Sequence, residues 1–270
     1  MTLSIVIITK NEEALLETCL KSCSFANELI VIDNGSTDKT TDIAKKFGAK
    51  VVSFESEDFS KTRNKGMEVA KSDWVLYVDA DERILKDLEM EILDAINGVP
   101  ISALAISRKN IIFGEEVNYG PYKKDWVIRL FKKSEFETWV GKVHEYGKFK
   151  GELGYSKNSL LHLTHRDLDH FMQKTLSWSK IDAKLRIDAN HPKMTKIRFM
   201  RILFTAFWNE LIVRRGLFSG TVGFIDSTLQ AISFYLTYIR LWEMQNSKSL
   251  NEIYKDIDKK LIENNFNYKP

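Results

Sequence analysis

Short apolar runs alternate with amphipathic stretches through the first eighty residues. Leu3-Ser4-Ile5-Val6-Ile7-Ile8 is an almost unbroken run of β-branched side chains, the pattern of a strand covered on both faces. It stops at Thr9-Lys10-Asn11-Glu12-Glu13. From Glu12 to Ser22 the apolar positions Leu15, Leu16, Cys19 and Leu20 fall at helical spacing. Glu28 to Ile32 predicts a second strand, closed by the turn formers and helix caps of Asp33-Asn34-Gly35-Ser36-Thr37-Asp38. A helix over Lys39–Phe47, a strand over Lys50–Phe54, a helix over Phe59–Ala70 and a strand over Trp74–Val78 follow. This βαβαβαβ order implies an α/β fold with a Rossmann-like, mostly parallel sheet and right-handed crossovers. Polar residues close three of the strands: Thr9 with Asn11 and Glu12, then Asp33, then Asp79 with Asp81. In such a sheet these ends line one crevice.

The crevice lacks the marks of two common nucleotide folds. The turn after the first strand holds no glycine, which argues against a dinucleotide-binding dehydrogenase, and no Gly-Lys-Ser/Thr follows a strand. A phosphate held without a glycine nest needs a metal and basic side chains. Val78-Asp79-Ala80-Asp81-Glu82 offers carboxylates at i and i+2 on a strand end, and paired oxygen ligands suit Mg²⁺ or Mn²⁺. Arg63 and Lys65 can supply the positive charge. The alternative is a plain acidic turn in which Asp81 caps a helix beginning near Ile84.

Bulk properties narrow the class. A hydrophobic fraction of 44% with 29% charged residues is that of a folded globular protein. The net charge of +3 gives no ground for a nucleic-acid partner, and none is expected. The start of the chain reads as a strand rather than a signal peptide. Cys19 and Cys23, the only cysteines, lie one helical turn apart without a second pair for zinc, so buried free thiols are expected.

Four segments in order, residues 5–12, 31–38, 62–66 (Thr-Arg-Asn-Lys-Gly) and 78–82, resemble the motifs of family 2 glycosyltransferases with a GT-A fold. Arg129-Leu130-Phe131 and Gly141-Lys142-Val143-His144-Glu145 resemble the acceptor half of a narrower branch that includes lipopolysaccharide core β-1,4-glucosyltransferases. The resemblance implies inversion at the sugar by a single displacement, with a UDP-sugar as donor, UDP-glucose first among them. It places Thr9, Asn11, Glu12, Asp33, Arg63, Asn64 and Asp79 around the nucleotide-sugar. It makes Asp81 the direct ligand of a divalent cation, with Asp79 on the ribose or the metal. A histidine from farther along the chain often joins that metal, and His162 is the candidate, with His165 as alternative. Glu145 is the expected general base and Asp125 a weaker rival. Asp125, Arg129 and His144 are expected to meet the acceptor or a phosphate. Trp126 and Trp139 either stack on sugars or belong to the core.

The expected domains are residues 1–170, catalytic, with a nucleotide-sugar half over 1–100 and an acceptor half over 101–170, and a helical extension over 171–270. In the extension, Lys193, Lys196, Arg198, Arg201, Arg214 and Arg215 interleave with aromatic and aliphatic residues against one acid, Glu210. Basic amphipathic helices rest on anionic bilayers. Leu217–Ile239 is long enough to span a bilayer, but Asp226 at its middle favours a buried or interfacial helical hairpin. The expected setting is therefore cytoplasmic, peripheral on the inner face of the cytoplasmic membrane, with a lipid-linked or lipopolysaccharide acceptor.

Overall fold

The computed structural model describes residues 1–141, 145–263 and 266, the side chain of Lys124 excepted. The chain forms two compact units, Met1–Arg166 and Asp167–Pro270.

The first unit carries the α/β fold. Strands β1 (Leu3–Thr9), β2 (Glu28–Asp33), β3 (Lys50–Ser53) and β4 (Trp74–Asp79) pair in parallel in the order β3-β2-β1-β4. Helices α1 (Leu16–Ser22), α2 (Thr40–Lys46) and α3 (Phe59–Val69) form the crossovers. β1 is buried on both faces, as its continuous apolar run requires. Its alternate side chains serve two cores. Leu3, Ile5 and Ile7 join the layer under α1 and α4 (Lys86–Gly98). Val6 joins Met67 of α3, Tyr77, Phe131 and Trp139 on the other side. Cys19 and Cys23 are free and buried.

Beyond β4 the sheet turns mixed. A two-residue strand β5 (Glu82–Arg83) follows the acidic turn, and α4 begins at Lys86 with Leu85 at its cap, so the alternative of Asp81 as a helix cap does not hold. The sheet continues β4-β8-β6-β11-β5, through β6 (Ala103–Ile112), β8 (Trp126–Lys132) and β11 (Leu153–Thr164), with β7 (Glu115–Val117) on β6. Only Ala80 and Asp81 separate β4 from β5 in sequence. Four strand spacings of about 4.8 Å would span roughly 19 Å on a flat sheet. Three Cα steps reach only about 11 Å. This half of the sheet must therefore curl until its edges meet, and the Asp79–Glu82 turn closes the gap. Its pairing fixes the register: Glu82 lies opposite His162, and Leu163 N donates to Asp81 O at 2.8 Å. β9 (Phe136–Val140) and β10 (Tyr146–Phe149) form a separate antiparallel pair.

The second unit is helical: α5 (Leu168–Asp188), α6 (Lys196–Phe207), α7 (Gly220–Met244) and α8 (Leu250–Glu263). Asp167 and Thr195 cap α5 and α6 with their side chains. A π-helical segment, Trp208–Val213, prolongs α6. Ala183, Met194, Ile202, Tyr238 and Leu241 form the core of this unit. The apolar segment over residues 217–239 is one turn of 3-10 helix followed by most of α7, with Asp226 buried, rather than a hairpin. Among the described residues no helix is long and apolar enough to cross a membrane.

Candidate active site

The loops after β1 and β2 are stitched together by side chains. Asn11 adopts φ 57°, a left-handed conformation that asparagine tolerates better than other non-glycine residues. Its Oδ1 accepts from Thr37 N at 2.7 Å and its own N donates to Ser36 Oγ at 2.9 Å. Glu12 N donates to Thr40 Oγ1 at 2.8 Å. The buried Asp33 carboxylate faces Ser36 N, at 3.2 and 3.3 Å from its two oxygens. Thr9 beside it is buried, and its hydroxyl has no hydrogen-bond partner among the described residues. Such a group is a ready point of contact for a polar ligand.

A cluster of ion pairs forms beyond these loops. Arg63, on α3, donates through Nε to Glu145 Oε1 at 2.7 Å and through Nη2 to Asp79 Oδ1 at 3.3 Å. Its guanidinium carbon lies 5.1 Å from the ring centroid of Trp139 and 5.6 Å from that of Tyr77, which hold it by cation–π contact. Arg129, on β8, donates through Nη2 to Asp79 Oδ2. Desolvation opposes ionisation of Asp79, but Arg129, Arg63 and Arg108 outweigh it and hold the carboxyl well below the usual range. Both Asp79 oxygens are thus engaged by arginines.

Glu82 is fully buried behind this pair. Its Oε2 accepts from Asp79 N at 2.9 Å, and its Oε1 lies 3.6 Å from both Arg108 and Arg129. Burial pushes its carboxyl up, partly countered by Arg129. Arg83 donates to the carbonyls of Ala80, Glu82 and Leu15, which ties the acidic turn to the start of α1.

A second chain of contacts runs to Asp81. Arg108 grips Asp125 with two bonds of 2.9 Å. Burial alone would raise the Asp125 carboxyl, but the Arg108 bonds lower it below the ordinary range. Asn110 Nδ2 donates to Asp125 Oδ2 at 3.0 Å. An ionised carboxylate only accepts, so this bond fixes the amide orientation. Asn110 Oδ1 then faces His162 Nδ1 at 2.6 Å. Nδ1 of His162 must then carry a proton, and Nε2 faces Asp81 Oδ2, 3.3 Å away. One carboxylate oxygen and one imidazole nitrogen suit Mn²⁺ or Mg²⁺ when diphosphate oxygens complete the sphere. Among the described residues no group of three or more His, Cys, Asp or Glu could hold a metal by itself.

The remaining expected residues lie elsewhere. Asn64 spends its amide on the backbone of Trp139, 2.9 Å to both N and O, and so clamps β9 to α3. Trp139 is core, in edge contact with Tyr77 and Phe131. Trp126 is exposed and meets Tyr155 edge-on. Lys65 pairs with Glu68 on the surface of α3. The His165 carbonyl accepts from Phe113 N at 3.1 Å. His144 lies outside the described residues. Three residues of the cluster, Glu82, Arg108 and Asn110, were not among the sequence candidates. Glu82 adjoins the acidic pair, and Arg108 with Asn110 share one face of a strand whose partner the sequence does not reveal.

Comparison with known proteins shows the family of the chain. The profile of Glycosyl transferase family 2 matches residues 4–151. An uncharacterized glycosyltransferase of Rickettsia bellii is 28% identical over 90% of this chain and 86% of its own. The lipopolysaccharide core biosynthesis glycosyltransferase LpsC of Rhizobium meliloti is 26% identical over 92% of this chain and 95% of its own. The structure of S. aureus TarS 1-349 in complex with UDP-GlcNAc aligns with a TM-score of 0.47 and 17% identity, over 87% of this chain and 79% of that one. The chain belongs to Glycosyl transferase family 2 and is a glycosyltransferase, and it has the mixed α/β sheet and the helical C-terminal region that its sequence led us to expect.

Proposed function

We propose that this transferase moves a hexose from a UDP-sugar, UDP-glucose first, to a saccharide of the cell envelope, with inversion. The lipopolysaccharide inner core is the proposed acceptor, met at the inner face of the cytoplasmic membrane. The observation that carries the reading is Arg63, which joins Glu145 to Asp79 in one cluster. The candidate base and an acid of the donor-side cluster are thereby held on one guanidinium. The Rhizobium relative's name supports the acceptor class.

In this reading Glu145 takes the proton of the acceptor hydroxyl as that oxygen bonds to the anomeric carbon. The bond from that carbon to the diphosphate breaks, and UDP leaves with the electron pair. Arg63 fixes Oε1 of Glu145, so the proton goes to Oε2. Asp81 and His162 would hold a divalent cation, which offsets charge growing on the diphosphate. Asp79, held by two arginines, positions rather than ligates, and Thr9 and Asp33 receive the nucleoside. Asp125, engaged by Arg108 and Asn110, orients His162 and leaves the base role to Glu145.

The test is UDP release from UDP-glucose, UDP-galactose and UDP-N-acetylglucosamine with Mn²⁺ or Mg²⁺, with and without core oligosaccharide. Acceptor-stimulated release, fastest with UDP-glucose, is expected. Release that only a capsule or O-antigen acceptor stimulates would move the enzyme to a sibling pathway, and no release from any donor would overturn the reading.

A further inference from the structure

The outer face of α6 is apolar where a surface helix should be polar. Phe199, Ile202 and Ala206 turn toward the core of the helical unit. That face accounts for the amphipathicity of an ordinary packed helix. On the other side Ile197, Met200, Phe204 and Trp208 recur every three or four residues and stay in solvent, Ile197 at 82% and Phe204 at 68% exposure. Phe204 and Trp208 stack, with ring centroids 6.0 Å apart. Val213 at the end of the π-helical segment, and Leu217 and Phe218 beyond it, are exposed as well. Scattered surface apolar residues need no explanation, but a contiguous stripe does.

Charge selects the partner. Lys193, Lys196, Arg198, Arg201 and Arg215 border the stripe, and none of them makes an ion pair with a described residue. Arg214 alone is neutralised, by Glu210 at 2.7 Å. A second copy of the chain would bring the same positive charges face to face. A nucleic acid would leave the large aliphatic side chains without a partner. An anionic bilayer satisfies both parts, with aromatic and aliphatic groups among the acyl chains and lysine and arginine at the phosphates.

We propose that the stripe Ile197-Met200-Phe204-Trp208, with Phe218, inserts into the headgroup boundary of an anionic phospholipid membrane. The helix lies in the interface plane. The inference deepens the proposed use of a lipid-linked acceptor, but its test needs no turnover.

The full-length protein is floated with vesicles of phosphatidylcholine alone and with about 30 mol% phosphatidylglycerol. The wild type should partition onto the anionic vesicles and scarcely onto neutral ones, and salt of roughly 0.5 M should weaken it. Ile197→Ser with Phe204→Ser and Phe218→Ser should lower partitioning roughly tenfold or more, as should Lys196→Gln with Arg198→Gln and Arg201→Gln. Thermal melts check folding, and the glutamine set keeps the test decisive if the serine set unfolds. Equal binding to both vesicles, or variants that bind as the wild type does, would overturn the proposal. So would a dimer that the serine set dissolves without any vesicle binding. Lost flotation with UDP release intact sinks the surface alone, whereas intact flotation without UDP release sinks only the transfer reading.

Discussion

Nδ1 of His162 lies 2.6 Å from Oδ1 of Asn110, a side chain only 1% exposed. The relationship decides which histidine nitrogen carries the proton, because Asn110 is itself oriented by Asp125. Asn110→Leu keeps much of the volume and removes the acceptor. Outer-shell partners of a metal-bound histidine are typically worth 10–100-fold in metal affinity. The variant should therefore weaken Mn²⁺ binding in the presence of UDP by roughly that factor, read by electron paramagnetic resonance of free Mn²⁺. Asp81→Ala should weaken it further. Unchanged Mn²⁺ affinity in Asn110→Leu would remove the orienting role.

Glu145→Gln keeps shape and hydrogen-bonding reach but cannot accept a proton. Loss of a general base typically costs 10²–10⁴-fold in rate. UDP-sugar affinity should stay near normal, because Thr9, Asp33 and the metal pair are untouched. The comparison with Asp125→Asn separates the two candidates. If Asp125→Asn abolishes transfer at saturating metal while Glu145→Gln retains it, the base has been misassigned.

Much of this site was legible in the chain, and the reason is local. Thr9, Asp33 and Asp79 stand where apolar runs stop, and a strand end can be read from a dozen neighbouring residues. Asn110 and Arg108 were not legible. Their importance comes from the pairing of β6 with β11, which sets Asn110 opposite His162, 52 residues away in sequence. Asn64 shows the opposite limit. Its motif position suggests a ligand contact, yet its amide replaces a strand neighbour for Trp139, a role only tertiary structure can assign. The two-residue β5 was likewise not legible, since it exists only by pairing with β11, and the helix that follows begins at Lys86.

Acid should weaken the fold through Asp125. Its folded carboxyl titrates below the unfolded value because Arg108 and Asn110 favour the ionised form. The stability it contributes is therefore full above the unfolded pKa of about 4 and is lost as pH falls through the lower, folded value. Charge-assisted hydrogen bonds of this kind are worth on the order of 2 kcal/mol. Asp125→Asn should be less stable than wild type at pH 7 by about that amount, and the gap should narrow toward pH 3. Urea titrations at several pH values measure it, and a constant gap across that range would exclude the Arg108–Asp125 pair as the cause.

Gly66 tests how tightly the site depends on its backing. It sits in α3 one turn after Arg63, and a Cβ there would meet Cγ1 of Val6 at 2.5 Å. Val6 is fully buried between strands and cannot swing away. Alanine in a helix is intrinsically better than glycine by about 1 kcal/mol. Overpacking of a closed core costs about 1–3 kcal/mol, so the clash should win and Gly66→Ala should melt earlier. The helix can also relieve the contact by shifting outward. Such a shift would strain the bond from Tyr77 Oη to the Arg63 carbonyl, 2.8 Å, and loosen the grip of Arg63 on Glu145. Transfer rate should then fall more than the remaining folded fraction explains. Trimming the obstacle with Val6→Ala should restore much of both in the double variant, since the two side chains touch and their effects are not additive. If Gly66→Ala melts as the wild type does and transfers at full rate, α3 does not set the position of Arg63 through this contact.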